Sequence, residues 1–282
     1  MSFPSNAHTH TPYCDGKTDI PDMIARAQAL GFVSLGFSGH AYQGFDPDYS
    51  MSLAGQQAYH DTLRKLQKEH NMQGTTPKLY VGLEQDALVP QAQKEENRRN
   101  FDYIIGSMHY LSDKMDGKKE AVDGPKDMLK RFVQEVFDGD ATEMAKAYYR
   151  LFSVSIQNDT PDIIGHFDVV RKHMKVLGLD TTDPAYRRAA LDALEAAYQG
   201  CKLLEVNTGN IARGYDTLPY PAEFLLQAWR EMGGNVTLTS DCHNADTLDC
   251  AYGQTLAMVK HMGFQQVLYL GAGDALWDTY TL

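Results

Sequence analysis

Short runs rich in apolar and β-branched residues alternate with stretches of helical periodicity along almost the whole of this 282-residue chain. The pattern predicts strands over residues 5–10, 33–40, 78–86, 103–110, 162–169, 203–208, 236–243 and 266–270. Helices are predicted over 20–30, 56–70, 126–137, 141–152, 184–198, 221–232 and 246–261. The first helix carries its own punctuation, with Thr18 or Asp19 as cap, Pro21 in the first turn and Gly31 as the stop. Strands separated by helices run in the same direction, so the sheet is expected to be mostly parallel and built of βαβ crossovers. An open doubly wound sheet or a closed barrel satisfies that pattern. The first strand is not followed by GxGxxG, which argues against a dinucleotide-binding sheet. Asp138-Gly139-Asp140 reads as a turn between two helices, and the polar stretch 111–125 as a loop able to lie over a site.

The strand ends carry a second pattern. The first strand ends in His8-Thr9-His10. Residues i and i+2 of a strand share a face, so both imidazoles point one way, with Asp15 just beyond. The second strand ends at His40, the third carries Glu84, the fourth ends near His109, the fifth holds His166, and the seventh ends in Asp241 and His243. In a parallel barrel these ends open on one rim, where barrel enzymes place their chemistry. Nine donors exceed the three or four ligands of one mononuclear site and suit two or three metals, with Glu84 able to bridge. Mixed imidazole and carboxylate donors favour Zn, Mn or Fe over Ca or Mg. Metals sharing an oxygen bridge lie about 3.5–4 Å apart, a spacing suited to phosphate ester hydrolysis. His60, His70 and His261 fall on amphipathic helices and read as solvated, and His173 lies past its strand, outside the donor set.

Charge limits the partners. A formal net charge of −11 argues against a nucleic-acid-binding surface and against anionic membranes. A metal cluster reverses the potential locally, so a small anion remains compatible. Cys14, Cys201, Cys242 and Cys250 form no CxxC pair and read as reduced thiols, with Cys14 and Cys242 packing beside the donors. No basic-then-apolar leader and no apolar run of about 18 residues is evident, and a cytoplasmic location is expected.

In order, the motifs His8-Thr9-His10, Asp15, Ser38-Gly39-His40, Gly82-Leu83-Glu84, Ser107-Met108-His109-Tyr110, Gly165-His166-Phe167-Asp168 and Ser240-Asp241-Cys242-His243 resemble those of the polymerase and histidinol phosphatase (PHP) superfamily. The nearest likeness is to its histidinol-phosphate phosphatases. The resemblance implies a distorted, TIM-like (β/α)7 barrel, one domain over residues 1–282, with a site for three divalent metal ions at the C-terminal ends of the strands. It implies His8, His10, Glu84 and Asp241 for one metal, Glu84, His109 and His166 for a second, and Asp15, His40 and His243 for a third. One departure is Ser38, where many members carry Asp before the Gly-His. The ligand His40 is kept, and only its outer support changes.

The same resemblance implies hydrolysis of L-histidinol phosphate to L-histidinol and phosphate, in histidine biosynthesis, by attack of a hydroxide bridging two metals, with Glu84, Asp241 and His243 as the catalytic residues. No GxSxG or Cys-His signature calls for a covalent intermediate. Arg171 and Arg213 follow site strands, and a guanidinium fork matches phosphate oxygens. With Asn207 they form the expected substrate contacts, suited to a small phosphomonoester. Tyr13, Tyr42, Asp46, Asp48, Tyr110 and Asp113 are unranked candidates for its amine and imidazole. The alternatives are a related esterase acting on another phosphomonoester or a nucleotide diester, an amidohydrolase-type barrel, and a metal-binding module without activity. The acidic charge weighs against a diester. A lysine bridge, usual in amidohydrolases, is replaced here by Glu84, and a degenerate module would be expected to lack donors.

Overall fold

The computed structural model describes residues 3–46, 48–112 and 117–282. Its strands are β1 (Ser5–Asn6), β2 (Ser34–Phe37), β3 (Lys78–Asp86), β4 (Tyr103–Ser107), β5 (Tyr110–Ser112), β6 (Lys119–Ala121), β7 (Ile163–Ile164), β8 (Leu203–Asn207), β9 (Asn235–Thr239), β10 (Gln266–Leu270) and β11 (Trp277–Thr281). The main sheet runs β1-β2-β3-β4-β7-β8-β9-β10-β11. Neighbours from β1 to β10 pair in parallel, and only β11 is antiparallel.

The sheet curls until its ends meet on one rim. Just past β1, Thr9 bridges Cys242, just past β9; His10 N donates to Cys242 O at 2.8 Å and Cys242 N to His8 O at 3.0 Å. Seven parallel strands therefore close where their C-terminal ends lie. At the opposite end β10 pairs with β9 through Leu268 and Thr237, and takes a hydrogen bond from the Ser34 hydroxyl on its Leu270 carbonyl. This wedge makes the barrel a distorted one, as expected from the sequence.

The interior is filled by Tyr103. Its hydroxyl crosses from β4 to donate to Ala7 O at 2.5 Å. Gly82 on β3 and Gly36 on β2 make room: a Cβ at Gly82 would sit 2.3 Å from the Tyr103 ring, and one at Gly36 2.1 Å from its hydroxyl. Phe3 plugs the base, edge-on to Tyr252, Tyr269 and Tyr280. Outside the strands, helices bury apolar faces such as Met23, Ile24 and Ala27, or Tyr186, Ala190, Leu194 and Ala197.

Several elements differ from expectation. The strands at 5–10, 33–40, 103–110, 162–169 and 236–243 end earlier because rim groups take over the ladder's donors and acceptors. Asn6, for example, accepts His8 N at 2.9 Å and donates to Ser240 Oγ at 2.6 Å. The stretch 111–125 is not simply a loop, since β5 and β6 form a hairpin. The helix Gln91–Asn100 has one apolar residue and gives no apolar period; it buries Lys94 and Asn97 instead, with Lys94 Nζ at 2.5 Å from Asp159. β11 covers one edge and sets its two aromatics, Trp277 and Tyr280, three residues apart, so it too lacks the strand's period of two.

Ala at position 82 should destabilise the protein by about 1–3 kcal/mol, because the Tyr103 ring must leave its place. Chemical denaturation of Gly82→Ala checks this, and an unchanged midpoint would remove Tyr103 as the interior filler.

Candidate metal centre

The closed rim delivers all nine donors to one place, and Glu84 is at its centre. Its Oε2 lies 2.8 Å from His40 Nδ1, 3.2 Å from His8 Nε2 and 3.6 Å from His10 Nε2. Its Oε1 lies 2.9 Å from His166 Nε2 and 3.4 Å from His109 Nε2. The local cause is a bridge: His40 pairs with Glu84 across β2 and β3, so strand register sets the carboxylate beside the imidazole. Asp241 adopts φ 49°, a left-handed conformation that Asp tolerates better than most residues. Its Oδ1 lies 3.1 Å from His10 Nε2, 3.6 Å from His243 Nδ1 and 3.8 Å from His8 Nε2. Asp15 completes the ring, with Oδ2 3.0 Å from His243 Nε2 and Oδ1 3.4 Å from His10 Nδ1 and 3.6 Å from His40 Nε2.

The donor set fits metal ions. Three groups have ligand atoms within 4.8 Å of one another: His8, His10 and Glu84; His40, Glu84 and His109; and His10, Asp15, His40 and His243. These overlap the three sets implied by the sequence without reproducing them. His10 joins the Asp15 group, its ring stacked 3.9 Å from His243, and His40 stands beside His109 on Glu84. Buried ligand atoms also stand without hydrogen bonds: His8 Nε2, His10 Nε2, Glu84 Oε2 and Asp15 Oδ1. Buried polar atoms are ordinarily paired, so convergent orphans of this kind mark a place for a cation.

Without metal, protons take the cations' part. Burial opposes charge on His8, but Glu205, Glu84 and Asp241 outweigh it and push its pKa up to about 10. His109 is also raised, chiefly by Glu84 against burial. His40 goes the other way, down to about 4, through burial and the neighbouring His10 charge. Glu84 and Asp241 are held well below the usual carboxylate range: burial opposes this, but the imidazoles around Glu84, and Arg213 with His8 beside Asp241, prevail.

The cluster floors a cavity of about 480 Å³. Arg213 lines it, with Nη2 donating to Asp241 Oδ2 at 2.7 Å and Nη1 to Asp241 O at 3.1 Å. Arg171 does not line it. Its guanidinium donates to Asp168 at 2.8 Å, Asp216 at 2.6 Å and Pro219 O at 2.6 Å, and stacks on Tyr220. The expected substrate contact Arg171 therefore sits just outside this cavity, held by buried ion pairs behind the Tyr220 ring. Asn207, the other expected substrate contact, is fully buried, with its amide bonded to Glu205 and the Gly209 N–H. Tyr13, Tyr42, Asp46, Asp48 and Tyr110 do not line this cavity, Tyr110 donating instead to Asp46 at 2.5 Å, and Asp113 lies outside the described residues. His173 faces the Gly124 carbonyl and His60 pairs with Asp61. All four cysteines are free, with Cys14 Sγ 3.6 Å from His10 Nδ1.

Comparison with known proteins decides the family. The PHP domain profile matches residues 6–209. The chain belongs to the PHP domain family. It is 27% identical over 270 residues to a Deinococcus radiodurans protein named "Probable histidinol-phosphatase", covering 94% of this chain and 95% of that one. A Schizosaccharomyces pombe protein of the same name is 21% identical, with 96% and 90% covered. A Listeria monocytogenes crystal structure described as a "putative histidinol phosphatase" shares the fold, with TM-score 0.77 at 19% identity, covering 89% of this chain and 99% of that one.

One residue of this PHP domain escaped the sequence reading. Glu205 is fully buried, and every partner is a donor. Oε2 meets His8 Nδ1 at 2.9 Å and the Thr239 hydroxyl at 2.8 Å; Oε1 accepts His166 N at 2.5 Å and Asn207 Nδ2 at 2.9 Å. A carboxylate here makes His8 the Nδ1–H tautomer and turns the Nε2 lone pair into the cluster. Its signal in the sequence is an acid inside a largely apolar strand, away from the strand ends where the other candidate ligands lie.

An amide at 205 must turn its NH2 toward donors on one side or the other. Glu205→Gln should therefore weaken metal binding by about 10–100-fold while leaving the fold intact. Metal titration followed by calorimetry checks this, and unchanged affinity contradicts the role.

A raised imidazole contributes stability that is fully present below the ordinary histidine pKa and lost as pH climbs through the folded value. For His8 that window runs from 6.5 to about 10. Chelated protein should lose thermal stability across it. Metal affinity should rise over the same range, because ligation needs neutral imidazole. Thermal unfolding with and without chelator measures both, and a chelated protein that gains stability toward pH 10 contradicts the proton network.

Proposed function

We propose that this protein is a metal-dependent phosphomonoester hydrolase whose substrate is L-histidinol phosphate, formed as one barrel unit over residues 1–282. The carrying observation is the nine-donor cluster around Glu84, with convergent orphan ligand atoms, on the floor of a cavity walled by Arg213. The names of the two full-length relatives support the substrate.

His8, His10, Asp15, His40, Glu84, His109, His166, Asp241 and His243 would hold the metals, three in the reading adopted here, with Zn, Mn or Fe matching the donors. Such ions supply Lewis acidity toward phosphate oxygens and lower the pKa of a coordinated water toward neutrality. The chain's own residues do the remainder. Arg213, fixed by Asp241 and lining the cavity, would stabilise the non-bridging oxygens as charge redistributes. Glu84 spans the cluster with both oxygens and keeps its two halves at a set separation. Asp241 and His243 lie beside Arg213, next to the reacting phosphate.

After metal reconstitution, the protein should release phosphate from L-histidinol phosphate, and Glu84→Gln should reduce turnover by more than about a hundredfold. Phosphate-release kinetics with elemental analysis test this. Bound metal without phosphate release would reject the substrate; less than one metal per chain would reject the metallohydrolase itself.

A further inference from the structure

The cavity lining carries a carboxylate that the chemistry so far leaves unused. Asp123 lines the cavity just past β6, and the adjacent Val122 N donates to the carbonyl of the cluster residue His109 at 2.8 Å. The segment is clamped in place: Lys172 Nζ donates to Asp123 O at 2.6 Å and His173 meets Gly124 O at 2.8 Å. Among the described residues the Asp123 carboxylate has one partner, Lys172 Nζ at 3.5 Å from Oδ2. That is longer than a hydrogen bond, and a carboxylate can accept about four. Lys172 itself is occupied by the Asp123 carbonyl and lies 4.6 Å over the Tyr215 ring. Tyr215 and the buried Tyr220 wall the same cavity. Arg213 lines the anion-binding side and is close enough to Asp123 for their charges to interact. Burial opposes ionisation of Asp123, but Lys172 and the cluster imidazoles hold it below the usual carboxylate range.

We infer that Asp123 forms a subsite for the cationic end of the substrate, so that the cavity selects phosphomonoesters whose alcohol carries an ammonium group. The substrate's ammonium would take the place that the long contact with Lys172 leaves open on the Asp123 carboxylate. Asp123 is a specificity-determining residue and takes no part in bond breaking. This inference rests on the proposed phosphomonoesterase reading of the same site.

The test uses two ligand pairs that differ by one amine: L-histidinol and 4-(3-hydroxypropyl)imidazole, and their phosphate monoesters. Calorimetry measures binding of the alcohols to metal-loaded wild type and Asp123→Asn; phosphate release measures kcat and KM for the esters. In the wild type the amine should improve alcohol binding and ester KM by roughly tenfold, the order of one charge-assisted hydrogen bond. In Asp123→Asn that difference should vanish, with kcat for the amine-free ester unchanged. A wild type indifferent to the amine, or a variant that still discriminates, overturns the subsite. Amine-dependent alcohol binding without ester hydrolysis would instead leave the subsite standing and reject the phosphatase. Hydrolysis without amine preference would do the reverse.

Discussion

Everything at the rim depends on keeping one buried carboxylate charged. Glu84 is almost sealed from solvent, and five imidazoles approach its two oxygens between 2.8 and 3.6 Å. An isolated carboxylate in that place would take up a proton. It stays ionised because the barrel brings compensating cations from β1, β2, β4 and β7 around it, whether protons on imidazoles or metal ions. The fold is thus a device for bringing the ends of seven strands into contact, and the Thr9–Cys242 bridge is where that contact is closed.

The same logic extends outward by one layer. Glu205 sets the tautomer of His8 and holds the backbone of His166, linking two donors from strands far apart in sequence. Arg213 is oriented by Asp241, while Arg171 is buried in its own ion-pair network with Asp168 and Asp216. Two arginines that follow site strands therefore have different work. The difference comes from which carboxylates the folded loops place beside each.

The alternation of strands and helices made a parallel βαβ sheet legible, with the barrel implied only by the family resemblance, and strand-end chemistry singled out nine side chains that the rim brings together, because both are local patterns. What stayed hidden was nonlocal. Nothing in the sequence distinguishes Arg171 from Arg213 until Asp216 and Asp241 are placed. Asn207 looked like a rim contact, yet its amide is consumed capping the turn at Gly209. Asp123 could not be singled out within a polar stretch whose hairpin folds back over His109. The grouping of donors was also only partly readable, since His10 and His40 each touch two neighbours once the rim is closed.

The central proposal, that Glu84 would help to hold more than one metal ion, is tested most directly by locating the ions. Crystals of metal-reconstituted protein, measured at the absorption edge of the bound metal, should show anomalous peaks on both sides of the Glu84 carboxylate, one within coordination distance of each oxygen. A single peak remote from Glu84, or none at full reconstitution, would contradict the account.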